Sequence, residues 1–299
     1  MPETGQKDVV EKILEEYDDV FADIVNVLLF DGRQVIDPSE LEAASPVSAY
    51  KADGRIRGLE RDVAKYWKKQ NIRIAFVGFE NQTKEDRLMP LRVLSYDGSE
   101  YRRQYSDTND GGSVYPVVTL VFYFGEKRWK APRNVCGVLD IPEEFKPFVS
   151  DYRMNLFEIG YLSDEQVKMF KSDFGVVADY FVQTVRNGEY VPNPQTLDHV
   201  QAVLQALSVF TKDDSFEKAY NDSRQGERVR NMCEVVEKFK REGYEQAKQE
   251  YKRENMELQR KNQEMKNKFA GIAADLREEG MSEEKIRKIL GENYDKNIL

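Results

Sequence analysis

Apolar positions outline the elements of this chain. In residues 7–30, Val10, Ile13, Leu14, Tyr17, Phe21, Ile24, Val25 and Leu28 recur every three or four residues, which predicts an opening helix. The period is then lost. Gly32, Pro38, Pro46 and Gly54 punctuate residues 31–58 and predict loop, with Ser39-Glu40-Leu41-Glu42 able to start a short helix. Residues 62–67 and 72–79 read as the strands of a hairpin, joined by the polar turn Lys68-Lys69-Gln70-Asn71. A helix is predicted over 86–105, with Pro90 in its first turn, where proline is tolerated. Asn109-Asp110-Gly111-Gly112-Ser113 is a turn signal, and residues 116–124 (PVVTLVFYF) are apolar enough for a strand buried on both faces. Residues 152–162 predict another strand. Residues 163–220 predict helices, broken near Asn187-Gly188 and between Pro192 and Pro194. Strands and helices in this order give an α/β core.

The last quarter of the chain has a different texture. Residues 225–268 are mostly Glu, Lys, Arg, Gln and Asn, without proline. Tyr244, Tyr251, Leu258, Met265 and Ile272 recur every seven residues. With these at d, Lys248, Asn255, Asn262, Phe269 and Leu276 fall at a. Asparagine at a fixes register and low oligomer state, so the expected partner is a second copy held through a coiled coil. The alternative is a solvated single helix braced by i,i+4 pairs. Gly280 is a stop and Ser282 an N-cap, giving a short helix–turn–helix at the end. Three regions follow: 1–222, 223–275 and 276–299.

Composition narrows the chemistry. No stretch of the 299 residues approaches the roughly 20 apolar residues of a membrane span. The acidic, amphipathic start lacks the basic region and apolar core of a signal peptide. Cys136 and Cys233 form no metal or redox motif. A reducing, cytoplasmic setting is expected, with no membrane partner. His199 is the single histidine, which excludes two-histidine zinc sites and zinc fingers. Metal chemistry must then run on carboxylates, with Mg²⁺, Mn²⁺ or Ca²⁺. The net charge of -9 argues against a uniformly basic nucleic-acid coat. It is uneven, however: residues 1–50 hold 3 basic and 12 acidic side chains, whereas residues 51–110 hold 13 basic and 10 acidic.

That net-positive block contains the hairpin. Asp62 and Glu80 lie equally far from Asn71, so antiparallel pairing brings them together at the open end. Cross-strand partners have Cβ atoms about 4.5–5.5 Å apart. Carboxylates that close repel unless a cation sits between them or one is protonated. Gln82, two residues beyond Glu80, shares its face and can orient a water or a phosphate oxygen.

Several segments in order resemble one family. They are Val20–Asn26 in the opening helix, Arg61-Asp62-Val63, residues 78–83, 89–97 and 101–104, the strand at 116–125 with Trp129 and Pro132, and residues 152–159. Together they span roughly residues 15–165, and residues 276–290 look like the terminal unit of many members. The resemblance is to the PD-(D/E)XK nuclease-family transposases, which include the Rpn recombination-promoting nucleases.

This resemblance implies a restriction-endonuclease-like mixed sheet flanked by helices, and metal-dependent endonucleolytic cleavage of DNA linked to recombination or mobile elements. Asp62 and Glu80 match the two acidic metal-binding positions, and Gln82 stands at the superfamily lysine. Arg61 replaces the usual proline. Glutamine is neutral, so Lys84 is a candidate to compensate, and Asp23 is a candidate outer ligand. Arg92, one helical turn before Tyr96, is a candidate phosphate contact, with Gln104 as a supporting residue on the same helix. Arg55, Arg57, Lys65, Lys68 and Lys69 are candidates for a basic rim. The alternative is a weak or inactive nuclease fold that binds DNA or acts as an oligomeric regulator.

Overall fold

A five-stranded mixed sheet organises the first part of the chain. The computed structural model describes residues 14–45, 47–52, 55–70, 72–108, 114–223 and 229–290. The strands are β1 (Leu41–Ala43), β2 (Val47–Ala52), β3 (Arg55–Glu60), β4 (Val63–Lys69), β5 (Ile72–Gln82), β6 (Val117–Tyr123) and β7 (Asn155–Glu158). The main sheet runs β1-β4-β5-β6-β7. Its first three members pair antiparallel, and β5, β6 and β7 run parallel. Strands β2 and β3 form a separate antiparallel pair.

Side-chain alternation divides the sheet into two buried faces. One face meets helix α1 (Asp18–Phe30) and helix α4 (Phe174–Asn187). There Phe79 stacks on Phe21 at 4.2 Å between ring centroids, and Phe122 lies 6.0 Å from Phe174. The other face meets helix α2 (Met89–Thr108), where Met89 and Val93 pack with Val121, Tyr123, Trp129 and Met154. Strand β6 is therefore covered on both sides, as its apolar run requires. Short helix α3 (Asp164–Met169) precedes α4, and α5 (Val200–Thr211) and α6 (Ser215–Ser223) follow it.

Two sequence expectations change. Residues 31–58 carry strands where a loop was expected. Backbone pairing marks β2 and β3, whereas Ser48 and Lys51 interrupt an apolar alternation in β2. The strand expected over 152–162 is confined to β7, and the chain then tightens into a 3₁₀ turn at Ile159–Tyr161.

The chain's contacts divide it into residues 1–236 and 237–299. Helix α7 (Met232–Glu278) is one continuous element of 47 residues. It ends in a Schellman motif: Met281 N–H donates to the Leu276 carbonyl and Gly280 N–H to the Arg277 carbonyl. Gly280 takes φ 83°, which favours glycine, and helix α8 (Glu283–Leu290) folds back to bury Ile286. Among the described residues, no helix is long and apolar enough to cross a membrane.

Candidate active site

The hairpin places Asp62 and Glu80 where the sequence expected them. The ladder ends at Val63 and Phe79; Asp62 lies just beyond it, with its backbone N–H donating to the Phe79 carbonyl at 3.1 Å, close enough for its charge to act on Glu80. Asp62 accepts a hydrogen bond from the Asn81 backbone N–H at 2.6 Å. Glu80 is 2% exposed. Its Oε1 accepts from Gln82 Nε2 at 3.0 Å and from Arg92 Nη2 at 2.6 Å. The same Arg92 nitrogen lies 3.0 Å from the Tyr96 hydroxyl, and Nη1 lies 3.5 Å from Asp86. Glu80 Oε2 is buried and accepts no hydrogen bond.

Burial, and then the Asp62 charge, push the Glu80 carboxyl up to about 8, with Arg92, Tyr96 and Gln82 pulling only partly the other way. Burial and the neighbouring Glu80 charge push Tyr96 up to about 12. Folded Glu80 therefore keeps its proton to higher pH than it does unfolded. Below the ordinary value of 4.5 both states are protonated, and the folded-state contribution is full. It is lost as pH rises from 4.5 to about 8. Wild type is expected to lose stability across that window relative to Glu80→Gln, on the order of a few kcal/mol. Urea midpoints at pH 5 and pH 8.5 in EDTA measure this; parallel pH profiles for the two proteins contradict it.

Other candidates lie elsewhere. Asp23 sits on α1, which packs the opposite face, and its Oδ2 accepts from the backbone N–H groups of Lys171 and Ser172. It braces the approach to α4 and is not brought to Glu80. Lys65 is corrected as a rim residue: it is 5% exposed and faces α1. There it donates to the Glu16 carbonyl, pairs with Asp18 and lies over the Phe21 ring. Lys68 pairs with Glu42, and Lys69 lies over Trp67. Gln104 accepts from Tyr115 N–H. It is 12 residues along α2 from Arg92, about 18 Å at helical rise, and so belongs to the far end of the helix. Lys84 is exposed two residues beyond Gln82. Arg55 and Arg57 lie in β3, and their side chains are outside the described residues. His199 stacks on Tyr17 and meets Asp19 at 3.1 Å, a structural role.

Sequence reasoning missed the roles of Arg61 and Asp97. Arg61 is fully buried, donates to Asp97 at 2.8 Å and Thr119 at 3.1 Å, and lies over the rings of Phe76 and Tyr96. It passes beneath Gly78, where a Cβ would stand 2.4 Å from Arg61 Cδ. The residue before Asp62 is thereby locked to α2. No local signal announces this, because the partners are 36 and 58 residues away.

Two carboxylates suit a small hard cation. Among the described residues no group of three or more His, Cys, Asp or Glu side chains could hold a metal. Mg²⁺ commonly uses one or two carboxylates and completes its shell with water and phosphate, whereas Ca²⁺ takes six to eight oxygens. The buried, undonated Glu80 Oε2 beside Asp62 fits the first pattern.

No curated protein and no solved structure matches the chain. A family model described as "Putative transposase, YhgA-like" matches residues 65–214, half of the 299. The match includes Glu80, Gln82 and Arg92 and begins three residues after Asp62. The chain belongs to the YhgA-like transposase family.

Proposed function

We propose that this protein is a metal-dependent DNA endonuclease of PD-(D/E)XK type, serving recombination or mobile elements. The observation that carries the reading is Glu80 Oε2, buried and without a hydrogen-bond donor, beside the Asp62 charge. Asp62 and Glu80 would hold Mg²⁺ or Mn²⁺. Once bound, the ion would lower the pKa of a water and offset charge on the phosphate. Gln82, held on Glu80, orients the water or a phosphate oxygen.

The test is nicking of plasmid DNA across a metal series. Cleavage that needs Mg²⁺ or Mn²⁺ and stops with EDTA supports the reading. DNA binding without cleavage under any metal favours the second reading, a non-catalytic DNA-binding regulator. Two observations favour that second reading: neutral Gln82 stands where a lysine is expected, and Arg92 already holds Glu80 Oε1.

We further propose that α7 pairs with a second copy of the chain. Tyr244, Tyr251, Leu258, Met265 and Ile272 are 46% to 69% exposed. Leu258→Glu with Met265→Glu is expected to convert a dimer to a monomer in light scattering. An unchanged mass contradicts the pairing.

A further inference from the structure

We propose that Arg92 is a resident counter-ion of the carboxylate pair, holding Glu80 Oε1 until a divalent cation binds the same carboxylate and then passing to a DNA phosphate. This rests on the nuclease reading and goes beyond it, because it couples metal and DNA through one side chain.

The two partners differ in access. The Glu80 side chain is 3% exposed and that of Arg92 is 40% exposed, so the guanidinium is the member of the pair that reaches solvent. A metal ion at the pair would bind the undonated Glu80 Oε2, while Arg92 Nη2 holds Oε1 of the same carboxylate at 2.6 Å. Two cations on one carboxylate repel each other, so metal entry weakens the ion pair. The guanidinium then has other support. Tyr96 Oη is 3.0 Å from Nη2 and Asp86 is 3.5 Å from Nη1, so release from Glu80 leaves Arg92 anchored.

Its destination follows from shape and charge. A guanidinium fork matches two phosphate oxygens, and Gln82 brings no charge to the site. Arg92 is the one cation ion-paired to Glu80 among the described residues. DNA that draws Arg92 away frees Glu80 for metal, and metal that displaces Arg92 frees it for DNA. Such coupling is reciprocal by linkage.

The test is Mn²⁺ binding to the full-length protein, followed by the paramagnetic signal of free Mn²⁺. It is run with and without a phosphorothioate duplex that resists cleavage. Without DNA, Arg92→Ala is expected to bind Mn²⁺ about tenfold more tightly than wild type. DNA is expected to tighten Mn²⁺ binding to wild type by about tenfold more than to Arg92→Ala, in which only the phosphate ligand to the ion remains. Arg92→Lys keeps the charge and loses the fork, and is expected to fall between them. Thermal melts confirm that each variant is folded, and Arg92→Lys carries the test if Arg92→Ala is not. Equal or weaker Mn²⁺ binding by the Arg92 variants overturns the proposal while the metal site stands. So does a DNA effect as large in Arg92→Ala as in wild type. Absence of Mn²⁺ uptake by wild type and variants alike instead removes the nuclease reading, and the proposal with it.

Discussion

Asp62→Ala and Glu80→Ala are each expected to lower metal-dependent plasmid cleavage by at least about a hundredfold to a thousandfold. Either change leaves a cation one carboxylate short. The losses have different accompaniments. Removing Asp62 takes away the acceptor of the Asn81 N–H and a negative charge that raises Glu80, so Glu80 ionises more readily. Removing Glu80 releases Arg92 and Gln82 together. The double variant is expected to be no worse than either single, because both act through one ion. Initial nicking rates at saturating Mn²⁺ measure this. Wild-type rates in either single variant contradict the assignment.

Asp97→Ala is expected to destabilise the fold by about 3–5 kcal/mol, because it leaves Arg61 charged, buried and without its counter-ion. The Arg61 and Asp97 side chains are 1% and 3% exposed. The Thr119 hydroxyl donates to Asp97 at 2.5 Å and Tyr152 also donates to it, so both lose their acceptor. The paired change Arg61→Met with Asp97→Leu is expected to recover much of that loss, because hydrophobic replacement of a buried ion pair often comes close to neutral. Urea denaturation of the three proteins decides it. A loss below about 1 kcal/mol in Asp97→Ala contradicts the account of this network.

That Asp62 and Glu80 lie close together was legible because a hairpin's geometry is symmetric about its turn. The route to that symmetry was not. Lys69 pairs with Ile72, and the register then shifts by one between Trp67 and Lys68, where β5 carries an extra residue. Without that bulge Val63 would face Gly78 instead of Phe79, and a slip of one residue sends every side chain to the other face. The same rule undoes Lys65. It lies in the basic block, but alternation turns it toward α1 and Asp18. Asp23 was misplaced for a related reason. Helical spacing puts it on α1, but the face of the sheet that α1 covers is set by tertiary packing of Phe21 on Phe79. Strands β2 and β3 were missed because their pairing is a backbone property, and Ser48 and Lys51 interrupt the apolar alternation of β2. The negative net charge was a poor guide to local chemistry: at Glu80, burial and the neighbouring Asp62 charge outweigh the one arginine from α2.

In the proposed site, Asp62 and Glu80 together would hold one divalent cation. Anomalous diffraction from crystals grown with Mn²⁺ tests it most directly. The account predicts a peak bonded to Asp62 and Glu80, with the Arg92 guanidinium withdrawn from Glu80 Oε1. Fully ordered side chains with no peak, and with Arg92 still on Glu80, would contradict it.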